Sequence, residues 1–256
     1  MSPKTIILTG ASRGLGLSIL KLLLLPPFSA QVISISRSLP RALLDLKKQN
    51  PDRLQLIQGN VNERYVSEKA VESARAWGGV DSIILNAGVL EPLGKVADID
   101  VAKWQAHLET NFLSLLHTIQ VALPDLRRSK GSIVMVSSGA SVKGTQGWGV
   151  YATGKAAMNS LARTLGEEEK DVLTVAIRPG VVNTDMQTLI RSTGEECMTP
   201  KDYQNVQRLY AEGELLDPED PGYVFAALAA RGGPMDLSGK FLSWNEEALK
   251  DYQKPV

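Results

Sequence analysis

Two tyrosines in the chain are each followed four residues later by a lysine, at Tyr65–Lys69 and at Tyr151–Lys155. Residues four apart share one face of a helix, so the ammonium can lie beside the phenol. A free phenol has a pKa of about 10, and a nearby cation is expected to lower it toward the range useful for acid catalysis. The second pair follows an apolar run that ends in two serines, whereas the first lies in a solvated helical pattern. We therefore predict proton transfer at Tyr151.

A glycine-rich segment, Thr9-Gly10-Ala11-Ser12-Arg13-Gly14-Leu15-Gly16, stands between an apolar β-type run and a helical pattern. Glycines allow the backbone to turn sharply and approach a pyrophosphate, while the N-terminus of the following helix offers free N–H groups and a positive dipole. The spacing is neither Gly-x-Gly-x-x-Gly nor Gly-x-x-x-x-Gly-Lys, the spacings of two common phosphate-binding loops. The segment therefore predicts a dinucleotide-binding loop whose glycine spacing differs from both of these.

These motifs together resemble the short-chain dehydrogenase/reductase family, and the resemblance covers nearly the whole chain in the family's order of motifs. It implies that Tyr151 protonates a substrate oxygen, that Ser138, 13 residues earlier, orients this oxygen, and that Ser137 is structural. It implies further that Lys155 assists the phenol and holds the nicotinamide ribose. Asn111 is implied to hold a water that relays protons to the lysine.

The same resemblance assigns a set of residues to the cofactor. They are Gly10, Ser12, Arg13, Gly14, Leu15, Gly16, Arg37, Asn60, Val61, Asn86, Ala87, Gly88, Tyr151, Lys155, Pro179, Val182 and Thr184. Asn60 stands where relatives usually carry aspartate, and its amide oxygen can still accept a hydrogen bond from the adenine amine. Trp148 and Met186, with Ser138 and Tyr151, are expected to line the substrate pocket.

The choice of nicotinamide cofactor depends on the end of the second predicted strand, which reads Ser36-Arg37-Ser38. NAD-selective sites place an acid there for the ribose hydroxyls, and NADP-selective sites use arginine for the extra phosphate. No acid is present, and Arg13 in the glycine-rich segment can approach the same corner. We therefore predict NADP(H).

Composition excludes several other classes of protein. The 28 basic residues equal the 28 acidic ones, so there is no basic field for nucleic acid, and a single cysteine, Cys197, permits no intramolecular disulfide. The two histidines, His107 and His117, lack cysteines or acids at metal-ligand spacing, so no metal site is predicted and packing or surface roles are assigned. No stretch is long and apolar enough to span a bilayer, and we expect a cytoplasmic protein.

Short β-branched runs alternate with helical patterns along the 256 residues. This alternation predicts an α/β fold, a Rossmann-type doubly wound parallel sheet of about seven strands with helices on both faces. Predicted strands include Thr5–Thr9, Leu54–Gln58 and Ser132–Val136. Residues 1–256 are expected to form one dinucleotide-binding catalytic domain, in which residues 187–221 interrupt the alternation as a small helical substrate lid.

The predicted function is reduction of a ketone, aldehyde or α-diketone by NADPH. The ending Ser238-Gly239-Lys240-Phe241-Leu242-Ser243-Trp244-Asn245 resembles the sepiapterin reductase and benzil reductase branch of the family. The alternatives are a non-catalytic NAD(P)-binding sensor and a nucleotide-sugar epimerase. The resemblance to the family further implies a homodimer or homotetramer through the helical patterns at residues 101–128 and 150–170.

Overall fold

The computed structural model describes residues 3–255, and its β-strands form one parallel sheet. The strands are β1 (Thr5–Thr9), β2 (Gln31–Ser36), β3 (Leu54–Gln58), β4 (Ser82–Leu85), β5 (Ser132–Val136), β6 (Leu173–Arg178) and β7 (Phe241–Ser243). Their order across the sheet is β3-β2-β1-β4-β5-β6-β7. The order reverses direction at β1, which is the doubly wound arrangement, and the predicted fold class is confirmed.

Helices cover both faces of this sheet. The α-helices within residues 3–255 are α1 (Gly14–Leu24), α2 (Arg41–Gln49), α3 (Arg64–Arg75), α4 (Val101–Leu108), α5 (Ser114–Ser129), α6 (Gly149–Glu168), α7 (Asp185–Thr193), α8 (Pro200–Ala211) and α9 (Glu219–Arg231). Of these, α7 and α8 pack against each other in a separate cluster. Across this described part of the chain, each helix is too short or too polar to traverse a lipid bilayer.

Strand residues are buried on both faces because each face is covered by helices. Along β1, Ile6 and Leu8 pack into the layer formed with α1 and α9. Ile7, between them, packs into the opposite layer with α3, α5 and α6. This alternation of core residues between two layers is what a parallel sheet covered on both sides requires, and it explains why the strands read as continuous apolar runs.

Two helical regions differ from the sequence prediction. The helix predicted over residues 101–128 is interrupted by a π-helical turn, Glu109–Leu113, between α4 and α5. Helix α9 begins at Glu219, inside the end of the predicted lid, and continues to Arg231 through a region where no element was predicted. Its nine residues from Pro221 to Ala229 are all buried, so it has no amphipathic period to detect.

Candidate active site

A cleft of about 1530 Å³ opens at the carboxyl ends of β1, β4, β5 and β6. It lies where the strand order reverses between β1 and β4, the place where open α/β sheets bind ligands. Its volume exceeds the roughly 300–1000 Å³ of a typical small-molecule pocket, so a dinucleotide and a substrate can share it. All the residues predicted for the cofactor and the substrate line this cleft. Asn111, predicted as catalytic, lies behind its wall and is 0% exposed.

The glycine-rich segment fits a dinucleotide because side chains are excluded from it. Gly10 and Gly14 have φ of +76° and +53°, a conformation that other residues rarely adopt. A Cβ on Gly16 would lie 2.3 Å from the Gly10 carbonyl oxygen. The N-cap of α1, Arg13, makes no side-chain capping bond, and the first turn carries no acid. The N-terminus of α1 is therefore free to receive an anion such as a pyrophosphate.

Thr9 and Asn86 join the ends of β1 and β4 beside this loop. The Thr9 hydroxyl accepts hydrogen bonds from the backbone N–H groups of Asn86 at 3.1 Å and Ala87 at 3.0 Å. The Asn86 amide in turn donates to the carbonyl oxygens of Thr9 at 3.0 Å and Gly10 at 2.9 Å. These bonds fix the two loops that face the cleft. The structural role of Thr9 was not predicted, although its position at a strand end before the glycines is visible in the sequence.

The tyrosine and lysine of the second pair lie side by side on α6. Tyr151 is 7% exposed and Lys155 is 4% exposed, and both line the cleft. The Lys155 Nζ lies 5.7 Å from the centroid of the Tyr151 ring and donates a hydrogen bond to the Val136 carbonyl oxygen at 2.6 Å. This bond ties the helix to the end of β5, so the ammonium is held in place beside the phenol.

The two serines after β5 have different surroundings. The Ser137 hydroxyl is buried and donates to Asn159 Oδ1 at 2.6 Å. Asn159 donates to the Ser141 hydroxyl at 2.8 Å, which completes a structural chain away from the cleft. Ser138 lines the cleft, and its oxygen accepts a bond from the Ala140 N–H at 3.2 Å. The Ser138 hydroxyl also lies within hydrogen-bonding reach of Tyr151, so the two hydroxyl groups face the same part of the cleft.

Burial dominates the proton affinities of the tyrosine and the lysine. It raises the pKa of Tyr151, and the nearby Ser138 hydroxyl opposes the shift only in part. It lowers the pKa of Lys155 to about 8, because the charged form loses its hydration. The expected net lowering of the pKa of Tyr151 is therefore wrong for this structure, because burial outweighs the influences that favour the phenolate. The phenol stays protonated at neutral pH, which is the form that a proton donor needs.

Asn111 lies in the π-helical turn and binds the loop after β4. Its Oδ1 accepts from the Val89 N–H at 2.8 Å, and its Nδ2 donates to the Val89 carbonyl oxygen at 2.7 Å. The remaining hydrogen of Nδ2 points to Nε2 of His107 at 2.9 Å. Both amide hydrogens are thus engaged within the protein. The contact with His107 was not predicted, since that histidine was assigned only a packing or surface role.

Two arginines stand at the other end of the cleft. Arg13 Nη1 lies 3.3 Å from Asp185 Oδ2 at the start of α7, and both side chains are largely exposed. Arg37 follows β2, is exposed and lines the same cleft. The ion pair links the glycine-rich segment to the start of the lid region and is too exposed to hold Arg13 strongly.

Apolar side chains surround Tyr151 on the lid side. Trp148 packs against it edge to face, with ring centroids 5.9 Å apart. Met186 from α7 and the buried Leu90 and Ile190 belong to the same cluster. Trp148 and Met186 therefore lie where the prediction requires a pocket wall. Cys197 is buried in this cluster too, and burial raises the pKa of its thiol.

Comparisons with known proteins agree with this geometry. The family model for short chain dehydrogenases matches residues 4–195. An uncharacterized oxidoreductase of Schizosaccharomyces pombe is 42% identical over 94% of this chain and 96% of its own length. A benzil reductase ((S)-benzoin forming) of Saccharomyces cerevisiae is 37% identical, covering 98% of this chain and 99% of its own. A crystal structure of a short chain dehydrogenase/reductase from the same yeast is 38% identical, covers 98% of this chain and 100% of its own, and superposes with a TM-score of 0.95.

The chain therefore belongs to the short-chain dehydrogenase/reductase family of oxidoreductases, whose members bind NAD(P). The predicted family is confirmed, and the relatives of the chain include both benzil reductases and sepiapterin reductases.

Proposed function

We propose that this protein is an NADPH-dependent carbonyl reductase that converts an α-diketone of the benzil type to a hydroxyketone. The observation that carries the proposal is the meeting of Ser138, Tyr151 and Lys155 at one side of a cleft large enough for a dinucleotide. Carbonyl reduction needs a hydrogen-bond donor, a proton donor and a cation, and these are the Ser138 hydroxyl, the protonated phenol of Tyr151 and the buried ammonium of Lys155.

NADPH bound in the cleft would supply the hydride that reduces the carbonyl carbon. The Ser138 hydroxyl donates a hydrogen bond to the carbonyl oxygen and holds it beside the Tyr151 Oη. The phenol then delivers its proton to this oxygen as negative charge develops there. The phenolate left behind is stabilised by the Lys155 ammonium, which the Val136 carbonyl oxygen keeps in place. The apolar cluster around Tyr151 excludes water, which strengthens these electrostatic effects.

The substrate class is inferred from the lid side of the cleft. The walls there are mainly apolar and include the aromatic face of Trp148 and the thioether of Met186. Such walls suit a flat, aromatic or otherwise apolar carbonyl compound. The yeast relative is named for turnover of benzil, an aromatic diketone, and this supports the same choice here. Residues 187–221, which include α8, act as the lid over this pocket.

The preference for NADPH is supported by the residues at the far end of the cleft. Arg37 lies where the second strand ends without an acid, and Arg13 lies in the adjacent glycine-rich segment. Two guanidinium groups can bind a ribose phosphate through several charge-assisted hydrogen bonds. The exposed pair of Arg13 with Asp185 is weak enough to be exchanged for a phosphate.

The two Tyr-x-x-x-Lys pairs provide a matched test of the function. NADPH consumption with benzil is measured for the wild type, Tyr151→Phe and Tyr65→Phe, and the hydroxyketone product is identified by chiral chromatography. We expect Tyr151→Phe to lose about 10³-fold or more in kcat/KM, as for loss of a general acid, and Tyr65→Phe to keep the wild-type value. Binding of NADPH without turnover of any carbonyl by the wild type would favour the sensor alternative, and equal activity of the two variants would refute the role of Tyr151.

A further inference from the structure

His107 is the one buried histidine of the described chain, and its two ring nitrogens have defined partners. The residue is 2% exposed and lies on α4, one turn before Asn111. Its Nδ1 lies 2.7 Å from the Glu91 carbonyl oxygen, and its Nε2 lies 2.9 Å from the Asn111 Nδ2. A carbonyl oxygen can only accept and an amide nitrogen can only donate. The ring must therefore carry its proton on Nδ1 and present a lone pair at Nε2.

This arrangement joins two side chains of α4 and the π-helical turn to the backbone of a single loop. His107 donates to the Glu91 carbonyl oxygen, and Asn111 both donates to and accepts from the backbone of Val89. The bond between His107 and Asn111 orients the amide, because the flipped amide would place its oxygen against the lone pair of Nε2. The hydrogen bonds form one closed set with a single consistent placement of protons.

The loop held in this way borders both halves of the cleft. Asn86, Ala87 and Gly88 precede Val89 and lie among the residues predicted for the cofactor, while Leu90 belongs to the apolar cluster beside the phenol. The imidazole also packs edge to face against Tyr151, with ring centroids 6.2 Å apart.

Gly154 of α6 packs directly against this pair of side chains. A Cβ at position 154 would lie 3.5 Å from the Asn111 Cβ and 3.6 Å from the His107 Nε2, which are ordinary contact distances. The backbone of α6 therefore closes the space on this side of the histidine and the asparagine.

We propose that His107, as a neutral imidazole, is a positioning residue that fixes the Asn111 amide and thereby holds the Val89–Glu91 loop in place beside Tyr151. The proposal rests on the proposed function where it concerns catalysis. The placement of protons and the closed hydrogen-bond set can be tested without any substrate.

Protonation of the imidazole would break this arrangement. A charged ring has two donors, and Nε2–H would then face an N–H of Asn111. The ionisable groups around the ring are Tyr151 and Lys155 on α6 and Glu91 on the loop. Burial and the charge of Lys155 lower the pKa of His107, and the bond to the Glu91 carbonyl oxygen opposes the shift only in part. The pKa of His107 therefore lies below the ordinary histidine value of about 6.5, and the ring is neutral at neutral pH, where Lys155 is charged.

Nuclear magnetic resonance tests the tautomer directly, because the chain has only two histidines. Long-range ¹H–¹⁵N spectra of the wild type and of His117→Gln assign the signals of each ring. We expect His107 in the Nδ1–H form, with no titration above pH 6.5. An Nε2–H tautomer, or a ring that becomes charged above that pH, would overturn the proposal.

Two substitutions separate hydrogen bonding from packing. His107→Leu fills much of the space without either bond, whereas His107→Gln can donate to the Glu91 carbonyl oxygen and accept from Asn111. We expect His107→Leu to speed hydrogen exchange at the Val89 N–H at least about tenfold and to lower kcat with benzil by a similar factor. His107→Gln should keep the exchange rate of the Val89 N–H and kcat within about threefold of the wild-type values. Because glutamine does not titrate, any fall of kcat at acid pH that follows the titration of His107 should be absent from this variant.

The controls distinguish this inference from the proposed function. His117→Leu makes the same chemical change further along the same helical segment, on α5, and is expected to leave both readouts at the wild-type value. Equal damage in His107→Leu and His107→Gln would mean that the ring acts only by its packing, and the proposal would fall. If no carbonyl were reduced by the wild type, the proposed function would fail. The tautomer of His107 and the hydrogen exchange of the Val89 N–H would still test whether His107 positions the Asn111 amide and the loop.

Discussion

Helices α3 and α6 each carry a tyrosine followed four residues later by a lysine, and the two pairs have opposite surroundings. Tyr65 is 61% exposed, while Tyr151 is 7% exposed and packs against Trp148 and His107. The pKa of Tyr65 is raised by its neighbour Glu63, a local surface contact. The pKa of Tyr151 is raised by burial. The same spacing therefore lies on a solvated surface in one helix and beside the cleft in the other, where we propose that the phenol donates a proton.

The lysines should give the largest contrast between the two pairs. We expect Lys155→Met to lower kcat/KM for benzil by about 10³-fold, because the phenolate formed in the reaction loses its stabilising cation in a dry site. Lys69→Met, on α3, should stay within about twofold of the wild type. Steady-state kinetics with saturating NADPH measure both, and circular dichroism checks that each variant is folded. Similar losses of kcat/KM in the two variants would mean that the buried lysine contributes no more to the reaction than the exposed one.

The adjacent serines sharpen the comparison at the end of β5. Ser138→Ala removes the hydroxyl that faces the cleft, and we expect kcat/KM to fall by about 10²-fold, as for the loss of one donor to a developing oxyanion. Ser137→Ala breaks the buried bond to Asn159 at 2.6 Å and should instead lower the free energy of unfolding by about 1 kcal/mol, with kcat/KM nearly unchanged. Kinetics and denaturant titration of both variants test this. If the two effects were exchanged, Ser137 would be the residue that contacts substrate.

The sheet and much of the cleft could be predicted from the sequence, and the reason is physical. Strands β1, β3 and β5 have the predicted bounds, because strands buried on both faces leave continuous apolar runs between polar loops. The positions of Ser138 and Tyr151 follow from the same strands and helices. These local signals need no knowledge of distant contacts.

Long-range contacts explain what could not be predicted. Arg13 pairs with Asp185, and Asn111 binds Val89, although nothing near either residue in the sequence indicates a partner. The π-helical turn was not predicted either, since it interrupts a continuous helical pattern, and its residue Asn111 makes one of these contacts. The raised pKa of Tyr151 was not foreseen, because the cost of burying a charge depends on how completely the fold covers the phenol.

The arginines at the far end of the cleft give a smaller expected effect. Arg37→Ala should raise the KM for NADPH about 10-fold to 30-fold and leave the KM for NADH unchanged, because the lost charge-assisted bonds involve only the ribose phosphate. Arg41→Ala is the matched control, since Arg41 is also exposed but lies outside the cleft and pairs with Asp45 at 3.6 Å. Both KM values are measured at saturating benzil. An equal rise for both cofactors in Arg37→Ala would contradict the assigned NADPH preference.

The smallest effect is the pH dependence above neutrality, and it tests which member of the buried pair titrates. Lys155 has a pKa of about 8, whereas that of Tyr151 is raised above its ordinary value. We therefore expect kcat/KM to fall about tenfold between pH 7 and pH 9, because the ammonium and not the phenol loses its proton. Ultraviolet difference spectra of the wild type against Tyr151→Phe should show no tyrosinate from Tyr151 across this fall.

Unfolding of the protein does not explain the expected loss of activity above pH 8. The folded-state pKa of Lys155 lies below its value in the unfolded chain, so between about pH 8 and 10.5 the unfolded state binds more protons at this residue. The contribution of Lys155 to the free energy of unfolding therefore rises with pH in the range where activity falls. Denaturant titrations of the wild type and of Lys155→Met at pH 7.5 and pH 9 test this. Between the two pH values, the wild type should not lose more free energy of unfolding than the variant does. If tyrosinate appeared together with the loss of activity, the proton would be leaving Tyr151, and burial would not be the dominant influence at this site.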